Sequence, residues 1–361
     1  MAGTVCGRRC LLKDHERISA SVMARVAAWV ALVLGAGALA LLVAWHGLAE
    51  IAALMAAAGW PLLTLAFFAV PELGLSAASW RLLFLPGRRP PFLRALQAMW
   101  IGFSINMLLP VAMMGGEVVK ARLLILWSQA APDAVVSIVV DKTVQAIAVL
   151  LSALLGIGLL AVLAPDPEVI TAAAIGTGLL GAGILGFVLV QHAHPFRALT
   201  RLARRIGGSD RRLTAFASAR QADATLRALY RRPHTLLAAC TLRFLARITL
   251  LGEIWLAAYL MGYPIGLLEA LVLKSLTVAL RGAAFVVPAG LGVQEGAFVI
   301  LGQLLGLPPE VALAIGLATR IREVVPSIPG LIAWQAIESR HAWRDALQAD
   351  VPGRSSNQPS H

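Results

Sequence analysis

Charge is scarce in this chain. Asp, Glu, Lys and Arg together make up 14% of its 361 residues, against 59% hydrophobic. Soluble domains carry about 25% charged residues, so a soluble enzyme or binding module is excluded and a polytopic helical membrane protein is indicated. Acids are scarcer than bases, 19 against 31, for a net charge of +12. In a membrane protein a clustered basic surplus reads as orientation and contact with anionic lipids at the inner surface, not as nucleic-acid binding. There are only three cysteines, Cys6 and Cys10 near the N-terminus and Cys240 in an apolar stretch. No disulfide framework is implied, and two tail cysteines without a ligand cluster do not make a metal site. Catalytic motifs are missing too: no histidines at metal-binding spacing, no nucleophile elbow, no glycine loop followed by Lys-Ser/Thr. No residue is assigned a catalytic or metal-binding role, no cofactor is expected, and the reading leans away from an enzyme.

Long apolar runs are abundant. Residues 26–45 are long enough to cross a bilayer and too long for the core of a typical signal peptide. The basic lead of residues 1–25 reads as a cytoplasmic tail, with Met23 an alternative start. Residues 50–58 form a connector. The second span is 60–85, with a kink at Pro71 and Trp80 at the interface. Further spans are 134–163, 169–190, 235–260 and 311–335, and a polar tail, read as disordered, follows from 337 to 361. Residues 191–234 hold ten arginines and two aspartates. This segment is either amphipathic helices lying on the inner surface or a basic loop.

Two stretches break the pattern in the same way. Pro110 leads through Gly115 and Gly116 to Glu117, and Pro288 leads through Gly290 and Gly292 to Glu295. Proline and glycine interrupt the helix that would hide the backbone, and an acid at membrane depth costs about 2.5–3.5 kcal/mol on insertion scales. Lipid satisfies neither, so each stretch marks a polar cavity. The flanking apolar pieces, 95–109 with 118–127 and 266–287 with 297–305, fit two re-entrant hairpins. The offset of 178 residues that carries Pro110 onto Pro288 also carries Glu117 onto Glu295 and Lys142 onto Arg320. That predicts a duplication, residues 26–163 and 169–336, within one membrane domain of 26–336.

Charge parity sets the topology. If 95–109 crossed fully, the ten arginines of 191–234 would fall outside, against the positive-inside rule. If it turns back, they fall inside. The expected architecture is therefore all-α, with about six full spans plus two re-entrant helical hairpins. The two copies form an inverted repeat and both termini are cytoplasmic.

Candidate site residues follow from the need for partners. Lys142 and Arg320 are cations in apolar helices, and Glu117 and Glu295 are their expected counter-charges by repeat symmetry. Alternatively the cations bind a lipid phosphate. Asp141 lies about 100° from Lys142 around the helix, so the two face different ways. Arg281 lies deep beside the second tip, and Glu323 completes a network with Arg320. Asn106 and Gln294 are placed to satisfy backbone freed at the first and second tips. Arg243 and Arg247 are read as snorkelling to the inner interface, and Lys274 as lying near the outer one.

The same stretches resemble the lysylphosphatidylglycerol-synthase transmembrane, or flippase-like, family of bacterial integral membrane proteins. They are NMLLPVAMMGGEVVKARLL, VVDKT, GEIWLAAYLMG, VPAGLGVQEGAFVILGQLLGLPPE and ATRIREVVPSIPGLIAWQ. Within that family the sequence is most like the membrane proteins associated with hopanoid biosynthesis. The resemblance implies an inner-membrane protein that moves or places a lipid between leaflets, with lipid as substrate and lipid-pathway enzymes as candidate partners. It also implies that a separate soluble domain, not seen in this sequence, performs aminoacyl transfer in the synthases. A membrane-embedded head-group transferase and a scaffold for pathway enzymes are the alternative readings.

Overall fold

In the computed structural model, residues 29–30, 32–109, 115–163, 167–192, 212–283, 287 and 290–349 are described, and their regular structure is helical. Helix α1 (Leu32–Trp45) meets α2 (Leu48–Ala58) at 89°. A 3-10 segment, Trp60–Phe68, runs into α3 (Ala69–Leu82). Pro71 falls in the first turn of α3, where its missing N–H breaks no α-helical bond. Next come α4 (Phe92–Leu108), α5 (Gly115–Leu126), α6 (Ala131–Leu163) and α7 (Pro167–His192). The chain continues as α8 (Arg212–Tyr230), α9 (Pro233–Ile248) and α10 (Leu251–Leu260). It ends with α11 (Leu267–Ala283), α12 (Val293–Leu304), α13 (Pro309–Val324) and α14 (Ser327–Ala349).

Four helical runs among the described residues are long and apolar enough to cross a membrane: Trp60–Leu82, Ala131–Leu163, Ala173–Gln191 and Pro233–Leu260. The bent α1–α2 pair makes a fifth if counted as one span. The protein is a multi-pass helical membrane protein. The expected span 311–335 instead divides at Val325–Pro326 into α13 and α14, and it carries Arg320, Arg322 and Glu323.

Both hairpins are present, with equal arms: 17 residues in α4 and α11, and 12 in α5 and α12. Even the longer arm rises only about 26 Å, short of the roughly 30 Å hydrocarbon thickness. In the first hairpin Arg94 donates to the Trp127 carbonyl, and Asn106 accepts from the Gly116 amide, so the arms run antiparallel. Glycine permits the approach. A Cβ on Gly116 would lie 2.0 Å from the Gly102 carbonyl oxygen. The tip residues Pro110 and Pro288 lie outside the described residues.

The helix boundaries keep the same offset. Gly115 and Val293 begin the second arms, Ala131 and Pro309 begin the next helices, and Leu82 and Leu260 end the helices before the hairpins, each pair 178 residues apart. The first arms are 175 apart, and the longer second tip absorbs the difference.

Two apolar cores result. One gathers residues of α3, α4, α5, α6, α8 and α9 around the first hairpin. The other gathers residues of α2, the 3-10 segment and α10 to α13 around the second. Helix α6 serves both, Val140 in the first and Leu160 in the second.

Three expectations at the periphery are corrected. Trp80 is fully buried, its indole N–H donating to Ser137 Oγ at 3.2 Å, so it is a core residue and not an interface anchor. Within 191–234 the described helix α8 packs Ala222, Leu226 and Leu229 into the first core, so this part of its apolar face is covered by protein. Residues 193–211 lie outside the described residues. The tail read as disordered from 337 remains helical to Ala349, with Glu338 held by Arg122 at 2.6 Å.

Candidate functional site

Each hairpin carries its acid into a buried ion-pair cluster. In the first, Glu117 lies 2.5 Å from Lys120 on its own helix and 2.6 Å from Lys142 on α6. Asp141, one residue before Lys142, faces Arg243 of α9 and stands 3.4 Å from Lys120. Adjacent residues of one helix thus serve different partners, as the rotation per residue requires. Lys142 also donates to Gln145 at 3.1 Å, and Lys120 lies 5.1 Å from the centre of the Trp80 ring.

In the second cluster Arg320 of α13 binds Glu295 through Nε at 2.8 Å and Nη2 at 2.6 Å. It also binds Glu323 at 2.9 Å, which Arg281 of α11 contacts as well. Arg281 donates to Gln294 at 2.7 Å, and Gln294 donates to Thr319 at 2.9 Å. A second layer adds Arg322, which binds Glu253 at 2.8 Å and Glu72 at 2.6 Å, with Lys274 at 3.1 Å from Glu253.

The two clusters are variations on one plan. Lys142 and Gln145 correspond to Arg320 and Glu323 at the offset of 178. Asn106 with Gly116 corresponds to Arg281 with Gln294, at 175 on the first arm and 178 on the second. An amide–backbone link in one hairpin stands where the other has a cation–amide link. The glutamates differ as well. Glu295 accepts the Gly292 amide at 2.9 Å, at the open end of its own helix, as well as Arg320. Glu117 spends its oxygens on two lysines. The clusters approach each other where Arg281 Nη2 stands 3.4 Å from Met107 Sδ of the first hairpin.

Every charged or amide residue expected at the site is therefore placed in one of these clusters. Gly115 opens α5, while Gly290 (φ +63°) and Gly292 (φ +76°) have backbone conformations that a side chain would strain. Three expectations are corrected. Gln294 bridges Arg281 and Thr319 side chains, and the amide at that tip is taken by Glu295. Lys274 is buried on Glu253, not near an interface. Arg243 is buried on Asp141, and Arg247 is the fifteenth residue of the 28-residue run Pro233–Leu260, so neither snorkels. Sequence reasoning missed Glu72, Glu253 and Lys120 as site members. The available signal was their type: each is ionisable within an apolar run, and such residues seek internal partners.

Taken singly these charges would be costly in a bilayer; in shared, charge-assisted pairs the cost is offset. Access is graded. The side chain of Lys142 is 31% exposed and those of Arg320 and Arg281 15% and 13%, whereas Glu295 is fully buried. Lys142 and Arg320 are thus more exposed than the Glu117 and Glu295 they hold, whereas in the second layer Glu72, at 22%, is the exposed member. No group of three or more His, Cys, Asp or Glu suited to a metal occurs among the described residues.

Residues 28–330 match the family described as Lysylphosphatidylglycerol synthase TM region. The chain belongs to this family. The match takes in both hairpins and both clusters, so the paired acid-tipped hairpins are features of this chain's lysylphosphatidylglycerol synthase TM region. Neither a curated protein nor a solved structure matches the chain.

Proposed function

We propose that this protein is a lipid translocator of the bacterial inner membrane. An amphiphile's head group moves along the polar core between the hairpins while its tails stay in the bilayer. The observation that carries this reading is the repeated arrangement of Glu117 with Lys142 and Glu295 with Arg320. Buried, exchangeable ion pairs on short hairpins give a charged head internal partners that lipid lacks. In this reading the copies enter from opposite faces, both termini are cytoplasmic, and the arginine-rich segment 191–234 meets anionic lipid. The resemblance adds hopanoid-pathway lipids as a candidate cargo.

The test is leaflet exchange of a labelled lipid in vesicles holding the purified full chain. Exchange lost in Glu295→Gln, with unchanged elution from a sizing column, supports the reading. A change in lipid mass instead points to a head-group transferase. No exchange and no mass change, with pathway enzymes retained through 191–234, points to a scaffold. A reporter placing the C-terminus outside the cell overturns the inverted topology.

A further inference from the structure

The two apolar cores do not coincide with the two copies. The first takes its residues from α3, α4, α5, the first half of α6, α8 and α9, and Leu331, Trp334 and Ile337 of α14 pack against it. The second takes its residues from α2, the 3-10 segment, the last turns of α6, and α10 to α13. The chain therefore passes repeatedly from one core to the other, and three of these passages are interrupted at the frontier. The 3-10 segment, in the second core, becomes α3, in the first, between Phe68 and Ala69. Helix α9 gives way to α10 at Thr249 and Leu250, and α13 to α14 at Val325 and Pro326. Helix α6, by contrast, joins the two cores without a break.

Each interruption has the marks of a hinge. Nine residues is long for 3-10 geometry, whose runs seldom exceed about four. Gly252, at the start of α10, faces the end of that segment: an added Cβ would stand 2.5 Å from the Phe68 ring. Pro326 has no N–H for the Arg322 carbonyl, and the offset of 178 places it on Ala148, which α6 carries in mid-helix. Outside groups serve the backbone there. Trp100 of α4 donates to the Pro326 carbonyl at 2.7 Å, and the Ser327 hydroxyl donates to the Glu323 carbonyl at 2.5 Å. Beyond the break α14 is seated on the first hairpin, where a Cβ on Gly330 would lie 2.1 Å from Ser104 Oγ. Hinges consist of a few element-terminal residues of this kind, whose φ and ψ absorb the rotation.

The ion pairs follow the same division. Glu117 and Asp141 are held by helices of the first core, and Glu253, Glu295 and Glu323 by helices of the second. Glu72 crosses the frontier: from α3 in the first core it accepts Arg322 of α13 in the second at 2.6 Å. Arg322 also binds Glu253 at 2.8 Å and lies 3.4 Å from Glu323. Parting it from Glu72 therefore leaves the buried guanidinium compensated, and Glu72, at 22% exposed, is the member that solvent reaches. A pair that separates without orphaning a buried charge is suited to open and close.

We infer that the protein consists of two bodies, each built from both copies around one hairpin, which turn against each other about these interruptions, with Glu72–Arg322 as the latch. Helix α6 is the continuous member between them. Turning parts the latch together with the contact of Arg281 on Met107 Sδ at 3.4 Å, where the hairpins meet. The motion does not depend on the translocator reading, which supplies only its use.

Double electron–electron resonance on the full chain in lipid vesicles, with its three cysteines replaced by serine, reads the motion. One spin-label pair, Leu93→Cys on α4 with Ile300→Cys on α12, spans the two bodies. A second, Leu93→Cys with Leu237→Cys on α9, lies within the first body, and all three side chains are exposed. Glu72→Leu is expected to raise the population of a second distance in the spanning pair about tenfold, as for loss of a charged hydrogen bond. The pair within one body is expected to keep a single distance. Broadening of both pairs together, or no change in the spanning pair of the folded variant, overturns the inference. If Glu72→Leu does not fold, hydrogen exchange of the wild type decides. Faster exchange at 249–252 and 325–328 than at 146–150, in the middle of α6, supports the hinge, and equal protection overturns it. Movement in a chain that exchanges no lipid overturns the translocator reading and leaves the hinge standing. Leaflet exchange with a spanning distance that Glu72→Leu does not alter does the reverse.

Discussion

Arg320 holds Glu295 through two nitrogens, Nε at 2.8 Å and Nη2 at 2.6 Å, across the gap between α13 and the second hairpin. Glu295 is fully buried and the Arg320 side chain only 15% exposed, so the pair is largely shielded from solvent. Removing one member of such a pair costs about 3–5 kcal/mol, because the survivor stays buried without compensation. Arg320→Met is expected to lose stability in that range, measured by thermal or denaturant unfolding in detergent, because the fully buried Glu295 carboxylate keeps only the Gly292 amide. Glu295→Ala alone is expected to cost less, since Arg320 keeps Glu323 at 2.9 Å. In a double-mutant cycle the two changes should be strongly non-additive; simple additivity would mean that the pair carries no coupling.

The first hairpin depends on the absence of a side chain. A Cβ on Gly116 would lie 2.0 Å from the Gly102 carbonyl and 2.8 Å from the Asn106 amide. Backbone cannot yield as a flexible side chain can, so Gly116→Ala should force α4 and α5 apart. A loss of at least about 2 kcal/mol is expected, comparable to other severe overpacking. Gly158→Ala on α6 is the control. Nothing lies within 4 Å of its added Cβ, and alanine's helix propensity favours it by up to about 1 kcal/mol. Opposite shifts in melting temperature would separate close packing from a general intolerance of substitution.

Not every ion pair matters. Arg122 and Glu338 approach to 2.6 Å between α5 and α14, but their side chains are 57% and 27% exposed. Solvent screens such a pair and ordering two long side chains offsets the gain, leaving about 0–1 kcal/mol. Glu338→Gln is therefore expected to change the melting temperature little. A loss as large as that of Arg320→Met would show that the contact locks α14 in place.

The sequence made the skeleton legible for a physical reason. Apolar runs, helix breakers and isolated ionisable residues each leave a mark that needs no tertiary knowledge. The Glu117–Lys142 and Glu295–Arg320 pairings could be anticipated because a repeat offset and the cost of an unpaired charge constrain the same residues. What failed was depth. Trp80 looked like an anchor because tryptophan is common at interfaces, yet a serine on α6 accepts its N–H in the core. Arg243 and Lys274 looked peripheral by distance along the chain, but Asp141 and Glu253 draw them inward across helix contacts separated by 102 and 21 residues. The apolar face of α8 was visible in sequence. Whether lipid or protein covers such a face depends on where the start of α6 lies, which no local pattern states.

Lys120 offers the sharpest test of charge balance. It lies between Glu117 at 2.5 Å and Asp141 at 3.4 Å, with its ammonium over Trp80 and near the sulfur of Met99. Deleting a buried ion is usually severe, but here each acid has a second cation: Lys142 for Glu117 and Arg243 for Asp141. Without Lys120 the first cluster has two acids and two cations, and a methionine side chain can occupy the space among Trp80 and Met99. Removing one partner of a buried pair is destabilising because it leaves a charge uncompensated, and here neither acid is left so. Lys120→Met is accordingly expected to change stability by no more than about 1 kcal/mol. Asp141→Asn leaves three cations against Glu117 alone and should cost several times as much. If unfolding in detergent shows Lys120→Met to be the worse of the two, the lysine is a structural keystone and the matched-charge account of this cluster is wrong.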